Sequence, residues 1–175
     1  MVETALLVSV LGVVFAVSIP TFLRALRSSK IAEAPRELQR LHLSVQSYYG
    51  TTHRPTEDGP MSLMCLPPGA GPTPAQASMD PVEVRFAEAP DPEGATWRAL
   101  AFEPDEAIRF RYSFLPSTSG CSLGGKAGDE PVNVELRAEG DLDGDGNHSR
   151  FSRHVEIHDG NLEPSPLLSV DQRVE

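Results

Sequence analysis

A short acidic stretch near the carboxyl end has the residue types of a calcium-binding loop. Asp141, Asp143 and Asp145 alternate along the chain, a glycine follows, and Asn147 comes next. Calcium prefers hard oxygen ligands, and glycine permits the sharp turn of such a loop. Ser152 stands where an EF-hand requires its distal glutamate, so a helix–loop–helix site is not expected. Two interpretations remain: a partial Ca²⁺ site completed by backbone carbonyls, and a Gly/Asp-rich hairpin turn without metal.

Other chemistry is weakly indicated. His154, Glu156 and His158 would share one face of a regular strand, but a solvated face is the preferred interpretation, since zinc needs three or four convergent ligands. There is no nucleophile elbow, phosphate loop or suggestive pair of carboxylates, so we expect no enzyme. The formal net charge of −10 argues against nucleic acid as a partner.

The chain has two cysteines, Cys65 and Cys121. An even pair is compatible with one disulfide in an oxidising compartment, and the alternative is two buried reduced thiols. The apolar segment described next favours the disulfide.

The amino-terminal segment is unusually apolar. The twenty residues from Thr4 to Leu23 include no charged side chain, and as a helix they would cover about 30 Å, the hydrocarbon thickness of a bilayer. This predicts a membrane-spanning helix. Glu3 at its start and Pro20 near its end are not needed by a simple anchor.

An amphipathic pattern follows this segment. Its apolar residues recur at three- and four-residue steps, which is typical of a helix with one apolar stripe: Ile31, Ala34, Leu38, Leu41, Val45 and Tyr48 or Tyr49. Pro35 predicts a bend or a break near Ala34. Gly50 is the predicted stop signal.

The remaining chain predicts an antiparallel sheet. Two hairpins are expected from alternating apolar residues and turn signals: 97–104 with 107–115, and 131–140 with 150–158. The predicted fold is α+β, with a long N-terminal helix, membrane-spanning in its first half, packed on a roughly four-stranded antiparallel sheet. Its parts are 1–24 (apolar helix half), 25–50 (amphipathic half), 51–96 (Pro/Gly-rich loop), 97–160 (sheet) and 161–175 (tail).

The first 49 residues resemble the amino-terminal region of type IV pilins and type II secretion pseudopilins. The similarity rests on Glu3, the apolar run ending SIPTFL, the basic RALRSSK, then AEA and QSYY, in the family's order. The separation of 17 residues between Glu3 and Pro20 matches the family's acid-to-proline spacing. The later strands and the acidic turn resemble the family's globular domain more weakly.

The resemblance implies a filament subunit that assembles with copies of itself or with related pilins through its N-terminal helix. Glu3 would pair with the amino terminus of a neighbour, and Pro20 would mark where the helix melts in the filament. The implied localisation is the bacterial inner membrane, single-pass, followed by a periplasmic or cell-surface filament. Members of the family carry a short basic leader that a peptidase removes, and this sequence shows none. A misplaced start, a trimmed sequence and a member that is not processed are the alternatives, and we expect that a leader has been left out. The alternative function is a single-span, membrane-anchored extracytoplasmic binding domain, calcium-dependent or not, that does not polymerise.

Overall fold

The computed structural model describes residues 12–16, 18–19, 30–54, 61, 64–121, 131–158 and 160–171, with only the backbone described at 164–167. The chain divides into two compact units, Met1–Glu33 and Ala34–Glu175. In the first unit, residues 12–16 and 18–19 are helical. The second unit contains the sheet and the helices described below.

Helix α1 spans Glu33–Tyr49 and carries the predicted apolar stripe. Its stripe residues are fully buried or nearly so: Ala34, Leu38, Leu41, Val45 and Tyr49. Residues 30–31 are helical and residue 32 is a turn, so the helical path is interrupted just before α1, in agreement with the predicted bend or break near Ala34. Pro35 itself falls in the first turn of α1, where a backbone N–H has no intrahelical acceptor, so its ring is tolerated there. The helix ends just before Gly50, as predicted, and the Gly50 N–H donates to the carbonyl of Gln46 at 3.1 Å.

The predicted fold class is wrong in its helix. Helix α1 has 17 residues, and within the described ranges no helix combines the length and the apolar character needed to cross a bilayer. The long N-terminal helix with a membrane-spanning first half is therefore corrected to a short amphipathic helix. The predicted single-pass inner-membrane localisation is corrected on the same finding.

The sheet also differs from the prediction, because the described residues form five strands rather than about four. All neighbours are antiparallel and follow chain order, β1-β2-β3-β4-β5. The strands are β1 (Ala70–Thr73), β2 (Arg111–Pro116), β3 (Val132–Gly140), β4 (Ser149–His158) and β5 (Asn161–Asp171). The segment predicted to be a tail, 161–175, thus contains β5, and the predicted loop region, 51–96, contains β1.

The central hairpin, β3 with β4, follows the predicted alternation. Its register runs from Val132 opposite Ile157 to Gly140 opposite Ser149. Inward residues of β3 such as Leu136 are buried, because a period of two places every second side chain on one face. At Gly140 a Cβ would lie 2.7 Å from the ring of Phe110, so the close packing of that ring requires glycine.

The first arm of the other predicted hairpin is a helix. Helix α2 spans Glu93–Leu100 and follows Pro92. A proline at the start, Glu93 in the first turn and Arg98 in the last turn are helix signals. Arg98 also donates to Asp91 at 2.8 Å. These local signals, together with two prolines just before the segment, favour a helix more strongly than its aromatic residue favours a strand.

An aromatic cluster joins α2 to the strands. A 3-10 turn at Phe86–Glu88 places Phe86 edge-on against Trp97 and Phe102, with centroid distances of 5.1 and 5.2 Å. Trp97 is fully buried, and its indole N–H donates to the Thr73 hydroxyl at 2.9 Å. This indole is satisfied within the core, as buried tryptophans usually are.

Candidate functional site

The acidic turn connects β3 to β4. Strand β3 ends at Gly140 and β4 begins at Ser149, so the hairpin fixes both ends of the intervening residues 141–148. Gly144 and Gly146 have φ angles of 78° and 87°, a region that side chains with a Cβ rarely adopt. A Cβ at Gly144 would also lie 2.6 Å from the Met79 sulfur. The two glycines therefore set the shape of the turn.

The carboxylates of the turn accept hydrogen bonds from its own backbone. Asp141 accepts from the N–H groups of Gly144 at 2.7 Å and Gly146 at 3.1 Å. Asp143 accepts from the N–H of Asp145 at 3.3 Å. Asp145 accepts from the backbone of Asn147 at 2.7 Å and from its side-chain amide at 2.9 Å. These bonds give the aspartates a structural use that needs no metal.

The same geometry brings three carboxylates together. One oxygen from each of Asp141, Asp143 and Asp145 lies within 4.8 Å of the others, and Asp143 and Asp145 are exposed. Carboxylate oxygens have further lone pairs beyond those used by the turn, so the arrangement fits a hard divalent cation. The bonds from Asn147 lower the pKa of Asp145. This keeps the carboxylate ionised, as a ligand must be. Both sequence interpretations, a partial Ca²⁺ site and a metal-free turn, are compatible with this geometry.

The two cysteines meet at another loop. Cys65 and Cys121 form a disulfide across a separation of 56 residues. Beside it, Leu66 and Gly120 exchange two backbone hydrogen bonds, with N–O distances of 2.8 and 2.9 Å. The bond thus joins the loop before β1 to the segment after β2.

An ion network on α1 was not anticipated from the sequence. Glu37 is 1% exposed and accepts from Arg36 at 3.0 Å and from Arg40 at 3.1 Å. Arg36 continues to Glu106 and Arg40 to Asp105, at 3.0 and 3.1 Å. Glu37 follows the stripe residue Ala34 by three positions, and this spacing is the signal that places a glutamate near the buried face.

The other residues singled out from the sequence do not form a site here. Glu3 and Pro20, the residues assigned to filament assembly, lie outside the described residues. His154, Glu156 and His158 are exposed on β4. In the part of the chain that the structure describes, the acidic turn is the one group of three potential metal-ligating side chains.

Comparison with known proteins adds no relative to this description: no family model, no curated protein and no solved structure matches the chain.

Proposed function

We propose that this chain is a structural subunit of a type IV pilus-like or type II secretion pseudopilus filament, assembled through its amino-terminal segment. The observation that carries the proposal is an apolar surface within residues 12–19. Val13, Val14, Phe15 and Ile19 are 63%, 52%, 57% and 56% exposed in the single chain. A function that covers these side chains is therefore favoured.

The exposed apolar residues are concentrated in this segment. They are four of the eight large hydrophobic residues that are exposed in the described part of the chain, although only seven residues of the segment are described. Burying apolar surface is favourable by about 25 cal/mol per Å², and contiguous exposed apolar surface commonly marks an interaction site. A second copy that buries the same segment would remove this surface from water.

The resemblance to pilins supplies the proposed roles of two residues beyond the described part. A carboxylate inside an apolar helix bundle is costly unless it is neutralised. Glu3 is proposed to pair with the amino terminus of a neighbouring subunit, which would set the stagger between copies. Pro20 is proposed to permit local melting of the helix, because its ring removes one backbone hydrogen bond.

We predict that Phe15→Ser and Glu3→Ala each abolish polymer formation while the second unit stays folded. Serine weakens the apolar contact between copies, and the alanine removes the carboxylate that neutralises the neighbour. The measurement is negative-stain electron microscopy together with the fraction of protein that pellets at high speed. Circular dichroism reports the folded sheet in the same samples.

Leu43→Ser is the matched control, because Leu43 is also 52% exposed but lies on α1 in the second unit. It is expected to leave polymers intact. Normal filaments from both the Phe15 and the Glu3 variants would refute the proposal. A wild-type chain that stays monomeric under all polymerising conditions would instead favour a binding domain that does not polymerise.

A further inference from the structure

His42 on α1 and Arg153 on β4 each have a buried nitrogen atom with no hydrogen-bond partner among the described residues. His42 lies on α1 and is only 4% exposed. Its position, four residues after Leu38 and three before Val45, puts it on the buried side of the helix. Within the described residues, its Nδ1 atom is buried and has no hydrogen-bond partner.

Arg153 reaches the same region from the sheet. It lies on β4 directly opposite Leu136 of β3 and opposite Leu168 of β5. Directly paired residues point to the same face of a sheet, and Leu136 is fully buried, so Arg153 points to the inner face. Its Nε atom is also buried and has no hydrogen-bond partner among the described residues.

Among the described residues, no carboxylate forms an ion pair with His42 or Arg153. Four charged residues precede His42 on α1, and the two nearest to it, Glu37 and Arg40, are engaged with each other and with the loop at 103–106. The strand neighbours of Arg153 on β3 and β5 are leucines. Among the described residues, Arg153 is the charged group whose positive charge lowers the pKa of His42, after burial itself.

We propose that His42 and Arg153 form a pH-sensitive release for α1, in which protonation of the buried imidazole places a cation in an apolar environment beside the partly exposed Arg153. An unpaired buried cation is strongly disfavoured. The neutral imidazole is tolerated there, whereas the imidazolium is repelled by Arg153 and poorly solvated. Helix α1 then opens from the sheet before the sheet itself unfolds.

The direction of the pH effect follows from the two states of His42. Burial first, and then Arg153, lower the pKa of His42 in the folded chain, whereas in the opened chain it returns to about 6.5. Near neutral pH both states are unprotonated and the contact is intact. As the pH falls below about 6.5, the opened state takes up a proton that the closed state does not, and closure weakens.

Hydrogen exchange of the full chain tests this release. Between about pH 7.5 and pH 5.5, a window that spans the ordinary histidine pKa, protection factors of α1 amides should fall severalfold relative to those of β3, after correction for intrinsic exchange. His42→Gln, which cannot take up the proton, should abolish this relative loss. Arg153→Met should reduce it, because the facing charge is gone.

His154→Gln is the matched control, since this exposed histidine follows Arg153 on the same strand. It should preserve the relative loss. If the His42 variant does not fold, the Arg153 variant and an NMR titration of His42 in the wild-type chain decide. A constant ratio of α1 to β3 protection, an unchanged loss in Arg153→Met, or a His42 pKa at or above the ordinary value would overturn the proposal.

Discussion

At Glu37, the free-energy cost of burying a carboxylate is offset by hydrogen bonds from neighbouring arginines. A buried carboxylate is unfavourable unless hydrogen bonds and opposite charges replace its water. Here two guanidinium groups do so, and both remain partly exposed, at 54% and 35% for the side chains of Arg36 and Arg40. Solvent therefore screens the outer part of the network but not its buried centre.

We predict that Glu37→Gln lowers the free energy of unfolding by about 1.5–3 kcal/mol, the range for hydrogen bonds that involve a charged group. The amide keeps the shape of the side chain but cannot accept from both arginines through two charged oxygens. Urea unfolding followed by circular dichroism measures the change.

Glu106→Gln serves as the control at the exposed end of the same network. Its side chain is 71% exposed, so the expected loss is less than about 1 kcal/mol. Equal losses of unfolding free energy in the Glu37→Gln and Glu106→Gln variants would contradict the conclusion that burial strengthens the interactions of Glu37.

Residue-scale prediction from the sequence succeeded for apolar positions and missed the two charged residues at inward positions, Glu37 and Arg153. The stripe residues of α1 are buried as periodicity predicted, because helical geometry places them on one face. Arg153 was not recognised, although it alternates with Phe151 and Val155 on the inner face of β4. A charged residue at an inward position of a strand can be recognised in the sequence. Its effect here depends on His42, and the sequence does not show that the two residues lie close together.

At the scale of elements, local patterns decided which predictions held. The hairpin of β3 and β4 was predictable because its alternation is regular and its turn contains Gly144 and Gly146. Helix α2 was missed because aromatic residues favour a strand, although Pro92 and Glu93 indicated a helix start. Strand β5 was missed because its prolines argue against a central strand; it lies at the sheet edge, where proline is accepted.

The turn of this hairpin gives a prediction about calcium. We predict that calcium raises the melting temperature by about 3–6 °C when its free concentration is tenfold above Kd, from the mass-action stabilisation of a folded site. The physical reason is relief of repulsion among Asp141, Asp143 and Asp145. Thermal unfolding with calcium and with chelator measures it.

The matched variant is Asp143→Asn with Asp145→Asn. Asparagine keeps a side-chain oxygen for the turn hydrogen bonds but removes two negative charges, so this variant should fold and lose the calcium response. A wild-type melting temperature that does not change at millimolar calcium would leave the turn with its structural role alone.

At the scale of the whole molecule, the disulfide between Cys65 and Cys121 is a covalent constraint on the second unit. It connects two loops that carry little regular structure, and it closes a segment that contains β1, α2 and β2. A crosslink of this kind stabilises mainly by reducing the freedom of the unfolded chain, and the effect grows with the length of the closed loop. The sequence identifies the two cysteines, but it does not show that they lie close together in the fold.

We predict that Cys65→Ala with Cys121→Ala lowers the free energy of unfolding by about 4 kcal/mol, the chain-entropy value for a loop of this length. Urea unfolding under oxidising conditions measures the loss. A reductant should destabilise the wild-type chain similarly and should not affect the double variant. A loss below about 1 kcal/mol would show that hydrogen bonds such as those between Leu66 and Gly120 already close the loop.

The two outer strands of the sheet have a consequence for how copies of this chain can associate. Strand β1 has four residues and includes Pro72, while β5 carries Pro164 and Pro166 in its first half. Proline cannot donate a backbone hydrogen bond, and short or proline-bearing borders hinder the addition of foreign strands. Polymers of this protein should therefore not grow by sheet continuation, and they should neither bind amyloid-specific dyes nor seed cross-β fibres.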